Sequence, residues 1–167
     1  MEQAYTLSIF SENSVGLLNR ITSILTRRHL NIDSINSSES ESSGIYRFTI
    51  VVRTTEAQVK KLVLQLEKQV EVMKAVYHTD SDTVFQEIAL YKISTRSISE
   101  GNLVEKLIRD NNARILSVES DFMIIEKTGH KEETQELLNF LSPYGVLEFV
   151  RSGRVSVTKP MGELEGI

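Results

Sequence analysis

The residues with the best claim to chemistry lie in one run, Glu12-Asn13-Ser14-Val15-Gly16-Leu17-Leu18, between an alternating segment and a helically spaced one. A helix that begins here leaves its first backbone N–H groups without partners inside the helix. Those of Ser14, Val15, Gly16 and Leu17 would point out of the helix end and favour a small anion such as a carboxylate. Gly16 lets a ligand or partner approach the backbone closely. Asn13 offers both a donor and an acceptor, which suits an amino acid's zwitterion better than a plain anion. The same residues also fit a purely structural reading, in which Asn13 caps the helix and Gly16 eases its packing.

Elsewhere the residue types point to solvated surface. Ser37 to Ser43, with Glu39 and Glu41, has the composition of a solvated hairpin rather than of a phosphorylated or metal-binding loop. Arg27-Arg28 and Lys60-Lys61 are expected as helix-surface charge, and Asp80, Asp82 and Glu87 as a solvated linker. His29, His78 and His130 fall in different elements, without metal-ligand spacing. The 167-residue chain has no Cys, which excludes a disulfide framework, a thiol nucleophile and a thiolate metal site. A net charge of -4 exerts no long-range pull toward nucleic acid or anionic membrane. No apolar run approaches the roughly 18 residues that span a bilayer. Met1-Glu2-Gln3 also lacks the basic and apolar parts of a signal peptide. A soluble cytoplasmic protein with no nucleic-acid or membrane partner is therefore expected.

The elements that must position these residues follow from periodicity. Tyr5, Leu7 and Ile9 alternate with Thr6, Ser8 and Phe10, the pattern of a half-buried strand. Leu17, Leu18, Ile21, Ile24 and Leu25 recur at helical spacing, and Arg27-Arg28-His29 place positive charge at the helix C-terminus. Alternation resumes from Leu30 to Ile35, and the Ser- and Glu-rich stretch Asn36 to Gly44 reads as a loop. Tyr46, Phe48, Ile50 and Val52 mark the clearest strand, Val59, Leu62, Val63 and Leu66 a second helix, and Val70, Val72 and Val76 a closing strand. The polar run Thr79 to Thr83 breaks the pattern, and then the same order returns. Ile88, Leu90 and Tyr91 to Ile93 read as a strand, and Leu103, Val104, Leu107 and Ile108 as a helix face. Ala113 to Val118 and Phe122 to Glu126 are strands around the turn Glu119-Ser120-Asp121. A helix on Leu137, Leu138 and Leu141 stops before Ser142-Pro143, and Val146 to Val157 closes the unit with an interruption at Gly153. The order β-α-β-β-α-β, read twice, predicts an α+β fold of two tandem ferredoxin-like units with antiparallel sheets. They are expected at residues 1–78 and 84–159, with 160–167 a loose tail. Units this small have thin cores and gain stability by packing on a neighbour or on another chain.

Glu12-Asn13-Ser14-Val15-Gly16-Leu17-Leu18, then Arg20, then Asn31-Ile32-Asp33-Ser34 resemble an E-N-x-x-G-x-L motif followed one helix later by an R-x-x-N-I-x-S-L type strand. That pairing is similar to the first ACT domain of the small regulatory subunits of acetolactate synthase, also called acetohydroxyacid synthase. The resemblance covers nearly the whole chain, including its length and Val150-Arg151-Ser152-Gly153 near the end, and its motifs are concentrated in the first half. Ile35 stands where Leu is common, and His29-Leu30 replaces a frequent Gly-aromatic pair.

The resemblance implies a first unit that is an ACT domain, a second that is ACT-like, and no catalysis of the chain's own. It implies a partner, the catalytic large subunit, whose activity the chain raises in branched-chain amino acid biosynthesis. It further implies feedback inhibition by valine or another branched-chain amino acid, bound at the interface of a homodimer formed through the first units. Thiamine diphosphate, Mg and, as a candidate, FAD would belong to the catalytic partner; the chain would hold no cofactor and no metal itself. Asn13, Gly16 and the amides of Ser14, Val15 and Leu17 would hold the effector's carboxylate and amine, and Asn31 would complete the site from the partner chain. Leu17 and Ile32 would line the apolar pocket, although both positions serve a core equally well. Such pockets discriminate one methylene by only about 1–3 kcal/mol, so valine, leucine and isoleucine are not separated by sequence. The second unit is expected to contact the catalytic subunit.

Other functions on this fold fit less well. RNA-binding domains of this topology stack bases on sheet aromatics, but Tyr46 and Phe48 share a face with Ile50 and Val52, which is expected to be the core side. An acylphosphatase-like hydrolase would need an Arg in the first loop, and Ser11 to Gly16 contains none. The nearer alternative is a free-standing tandem ACT amino-acid sensor that regulates a different enzyme or pathway.

Overall fold

Strand β1 (Gln3–Glu12) pairs antiparallel on both sides, with β3 (Ile45–Thr54) and β4 (Val72–Thr79), and β2 (Ile32–Glu39) adds to the far edge of β3. The sheet order is β2-β3-β1-β4. The computed structural model describes residues 1–96 and 103–159. Tyr5, Leu7 and Ile9 of β1 and Phe48, Ile50 and Val52 of β3 meet Leu17, Ile21, Ile24 and Leu25 of helix α1 (Leu17–Arg27). Val59, Leu62, Val63 and Leu66 of α2 (Glu56–Leu66) complete that core.

The alternate residues of β1, expected to face solvent, are buried too: Thr6, Ser8 and Phe10 are at most 3% exposed. Arg154 and Arg47 cover them. Arg154 donates to Thr6 Oγ1 (2.7 Å) and to Asp80 Oδ1 (2.5 Å), and its guanidinium lies 3.6 Å from the centroid of the Phe85 ring. Arg47 donates to Ser8 Oγ (3.0 Å) and to the Ser156 carbonyl (2.9 Å). The first unit is thus Met1–Phe85 together with the segment from Arg154, and the second is Gln86–Gly153. The expected last strand, Val146 to Val157, is broken at residues 152–154 into β8 (Val146–Arg151) and β9 (Val155–Thr158). β8 belongs to the second unit and β9 to the first, and β5 (Thr83–Ser94) runs from the first unit into the second.

The second unit repeats the first. β5 pairs antiparallel with β7 (Phe122–Gly129) and β8, β6 (Arg114–Val118) joins β7, and the order is β6-β7-β5-β8. Ala89, Tyr91, Ile93, Met123 and Ile125 pack against Val104 and Ile108 of α3 (Leu103–Asp110) and Leu137 and Leu141 of α4 (Lys131–Leu141). α4 ends before Ser142-Pro143 as expected, and Ser142–Tyr144 then forms a single 3-10 turn. The expected tail, 160–167, lies outside the described residues.

Other boundaries moved for local reasons. β2 continues to Glu39 because Asn36, Ser37, Ser38 and Glu39 pair with Thr49, Phe48, Arg47 and Tyr46, which an edge strand does through its backbone without apolar side chains. The loop shrinks to residues 40–44, and Glu39 accepts from the Gly44 N–H (2.9 Å). Val70 is exposed in the turn before β4. Leu18 and Leu103, expected on helix core faces, are about half exposed at 48% and 56%.

Both first helices of the units end alike. The N–H of Leu30 donates to Leu25 O (3.1 Å) and that of Ala113 to Ile108 O (2.9 Å), with His29 (φ 55°) and Asn112 (φ 51°) in left-handed conformation between them. Asn tolerates this conformation better than His, and Gly carries no Cβ penalty there. His29→Gly should therefore raise stability by roughly 1 kcal/mol, read as a higher urea midpoint with unchanged slope.

Candidate functional site

β1 ends where the Glu12 N–H donates to Glu71 O (3.1 Å), and residues 13–16 then turn the chain into α1. The Ser14 carbonyl accepts from the Leu17 N–H (3.2 Å), and the Gly16 carbonyl accepts from the Arg20 N–H (3.1 Å) as the first bond of the helix. Of the four amides expected to be free, that of Leu17 is therefore engaged within the turn. The N–H groups of Ser14, Val15 and Gly16 have no acceptor among the described residues, and those of Leu18 and Asn19 have none inside the helix.

Gly16, not Asn13, is the N-cap, and no side chain caps the helix. Its φ of 84° is left-handed, which is the reason for glycine here. A Cβ at Gly16 would meet none of the described residues within 4 Å, so the space over the turn is open among them. Asn13 is exposed, and its side chain has no partner among the described residues. The capping role considered for Asn13 is thus not the one it plays.

A pair distant in sequence holds the turn. Arg20 on the first turn of α1 forms an ion pair with Glu71, just ahead of β4, at 2.5 Å. Next to the turn, Ser11 is fully buried, and its Oγ has no hydrogen-bond partner among the described residues. Neither residue was singled out by sequence: Glu71 lies 51 residues from its partner, and Ser11 reads as part of the polar helix entry Ser11-Glu12-Asn13-Ser14, whereas it belongs to β1. The apolar surface at the turn comes from Val15, fully exposed, and Leu18, whereas Leu17 is 1% exposed in the core.

Asn31 and Ile32 lie at the other end of α1. An 11-residue helix is about 16 Å long. Ile32 pairs with Val52, beside Tyr5, at the end of the sheet opposite the 13–16 turn. Asn31 is exposed and Ile32 is partly buried against the core. One chain therefore brings Asn13 to Leu17 together and keeps Asn31 and Ile32 away from them.

The remaining polar clusters are engaged structurally. Asp80 pairs with Arg154, Asp82 bonds Thr79 in the 3-10 turn Asp80–Asp82, and Glu87 pairs with Arg151. Arg28 ties α1 to α2 through Gln65 Oε1 (2.8 Å) and the Lys61 carbonyl (3.2 Å). Among the described residues no group of three or more His, Asp or Glu is arranged to hold a metal ion, and no helix is long and apolar enough to cross a membrane.

Two βαββαβ units in tandem, the first with an open glycine turn leading into its first helix, define a tandem ACT-type protein. The family model for the AHAS small subunit-like ACT domain matches residues 7–74, and that for the small subunit of acetolactate synthase matches residues 86–160. The chain is 33% identical over 155 residues to an acetolactate synthase small subunit of Mycolicibacterium smegmatis, covering 93% of this chain and 91% of that protein. It is 34% identical over 164 residues to that of Bacillus subtilis, covering 95% and 91%. The crystal structure of the acetolactate synthase small subunit from Thermotoga maritima superposes with a TM-score of 0.85 at 26% identity, covering 94% of this chain and 98% of that one. The chain belongs to the acetolactate synthase small-subunit family.

Proposed function

We propose that this chain is a non-catalytic regulatory subunit that binds the thiamine diphosphate-dependent catalytic subunit of a cytoplasmic acetolactate synthase and raises its activity. In the same reading it confers feedback inhibition by a branched-chain amino acid, valine foremost. The thiamine diphosphate, Mg and any FAD sit in the catalytic partner. The effector's carboxylate lies against the free amides of the 13–16 turn, Asn13 bridges its amine, and Val15 and Leu18 add apolar surface. The observation that carries this reading is the open turn, in which unpaired amides, the left-handed Gly16 and an unpartnered Asn13 converge. Because Asn31 and Ile32 lie a helix length away in the same chain, they join the site from the first unit of a second copy. A ligand that touches two chains changes their relative placement, and coupling of roughly 1–3 kcal/mol to the catalytic subunit suffices for feedback.

Calorimetric titration with valine, leucine, isoleucine and serine tests this. Saturable valine binding is expected, weakened about tenfold or more in Asn13→Ala by loss of a charge-assisted hydrogen bond. Binding only of another class of amino acid, with no co-purifying thiamine-dependent subunit, would favour the free-standing sensor instead.

A further inference from the structure

The left-handed turns at His29 and Asn112 register the two units residue by residue: Leu25 with Ile108, Leu30 with Ala113, Asn31 with Arg114 and Ile32 with Ile115. The corner between first helix and second strand is filled differently in the two. In the first unit Leu30 packs against the core there. On the helix face, Thr22 and Thr26 bond backward to the carbonyls of Leu18 (3.0 Å) and Thr22 (2.9 Å). In the second unit Ala113 replaces the leucine, and a hollow of about 360 Å³ opens over Ile108, Ala113 and Ile115, rimmed by Glu105, Arg109 and Arg114.

Glu105 and Arg109 stand four residues apart on α3, the acid N-terminal, which is the favourable order for an ion pair. They form none, and neither has another partner among the described residues. Arg114 is engaged by Glu126 through two bonds to Oε2 (3.0 and 2.6 Å). The hollow thus presents an unpaired carboxylate and an unpaired guanidinium beside a small apolar floor. It is a shallow surface depression open to solvent, so a ligand there is held chiefly by its charged ends.

We propose that this hollow is a second binding site, in the second unit, for a small zwitterionic amino acid with a short or branched apolar side chain. The ligand's carboxylate meets Arg109, its ammonium meets Glu105, and its side chain covers Ile108, Ala113 and Ile115. The site is separate from the 13–16 turn and stands or falls independently of it.

The test is a titration of the full chain, methyl-labelled at Ala and Ile, with L-valine, followed by NMR at Ala113 and Ile115. Saturable shifts of both methyl signals are expected. 3-Methylbutanoate, which lacks the ammonium, and 2-methylpropylamine, which lacks the carboxylate, should each bind roughly 10- to 150-fold more weakly, the range for loss of one charged hydrogen bond. Arg109→Gln should weaken valine by a similar factor. Ala113→Leu, which restores the side chain of the first unit, should abolish the Ile115 shift while leaving the fold intact. Stationary Ala113 and Ile115 signals at millimolar valine would overturn the proposal. So would equal binding of valine and 3-methylbutanoate, or undiminished binding to Ala113→Leu.

Discussion

Gly16→Asp should abolish the amino-acid response of the assembled enzyme while leaving its activation by this chain largely intact. The new carboxylate would occupy the open space over the turn, where no described residue lies within 4 Å of a Cβ, so no described packing is disturbed. The left-handed φ of 84° costs a side chain about 1–2 kcal/mol, and Asp tolerates it better than most. That strain is too small to unfold the unit. Against the carboxylate of an effector bound as proposed the effect is larger, because two like charges about 4 Å apart repel by about 4 kcal/mol at an effective dielectric of 20. Gly16→Asn separates charge from bulk: it has nearly the same shape and no charge, and it should keep a weakened response. The measurement is inhibition of the reconstituted holoenzyme by valine, with activation recorded without effector. Full sensitivity in the Asp variant would remove the turn from the site.

Much of the architecture was legible in local patterns, because strands and helices bury one face and their periods differ. β3 and the helices follow the apolar spacing, Leu18 and Leu103 apart, and the repeat predicted the same order of elements along the chain in both units. What was not legible depends on distant partners or on backbone alone. Thr6 and Ser8 look like solvent-facing residues, and only the return of Arg154 and Ser156 some 148 residues later buries them. Asn36 to Glu39 read as loop because their side chains are polar, yet an edge strand needs only N–H and C=O groups. At the candidate site, glycine and the adjacent Asn were visible from spacing. The exposure of Leu18 and the Arg20–Glu71 pair were not, since a leucine at helical spacing looks like core and a salt bridge leaves no periodic trace. The difference between Leu30 and Ala113 acquires meaning only once the turns at His29 and Asn112 align the units.

Arg151→Met should destabilise the second unit by about 3 kcal/mol, the low end of the roughly 3–5 observed when one member of a buried ion pair is removed. Arg151 on β8 lies 2.9 Å from Glu87 on β5, and their side chains are 21% and 10% exposed. Glu87 also accepts from Thr134 Oγ1, and Tyr91 donates its hydroxyl to the Thr134 carbonyl (2.6 Å). Burial pushes the Tyr91 hydroxyl up to about 12, so it stays protonated and remains a donor across the physiological range. The guanidinium further bonds Gln135 Oε1 (2.9 Å) and lies over the Phe149 ring at 4.8 Å from its centroid. Removing it leaves a nearly buried carboxylate with one neutral hydroxyl, while β8 and α4 lose their shared tether. The double variant Arg151→Met, Glu87→Leu removes both charges and fills the space with apolar atoms, so it should recover most of the loss. Urea unfolding gives the magnitude, and amide exchange in β5, β7 and β8 assigns it to the second unit. Equal stability of the single variant and the wild type would mean that this pair behaves as an exposed one, worth less than about 1 kcal/mol.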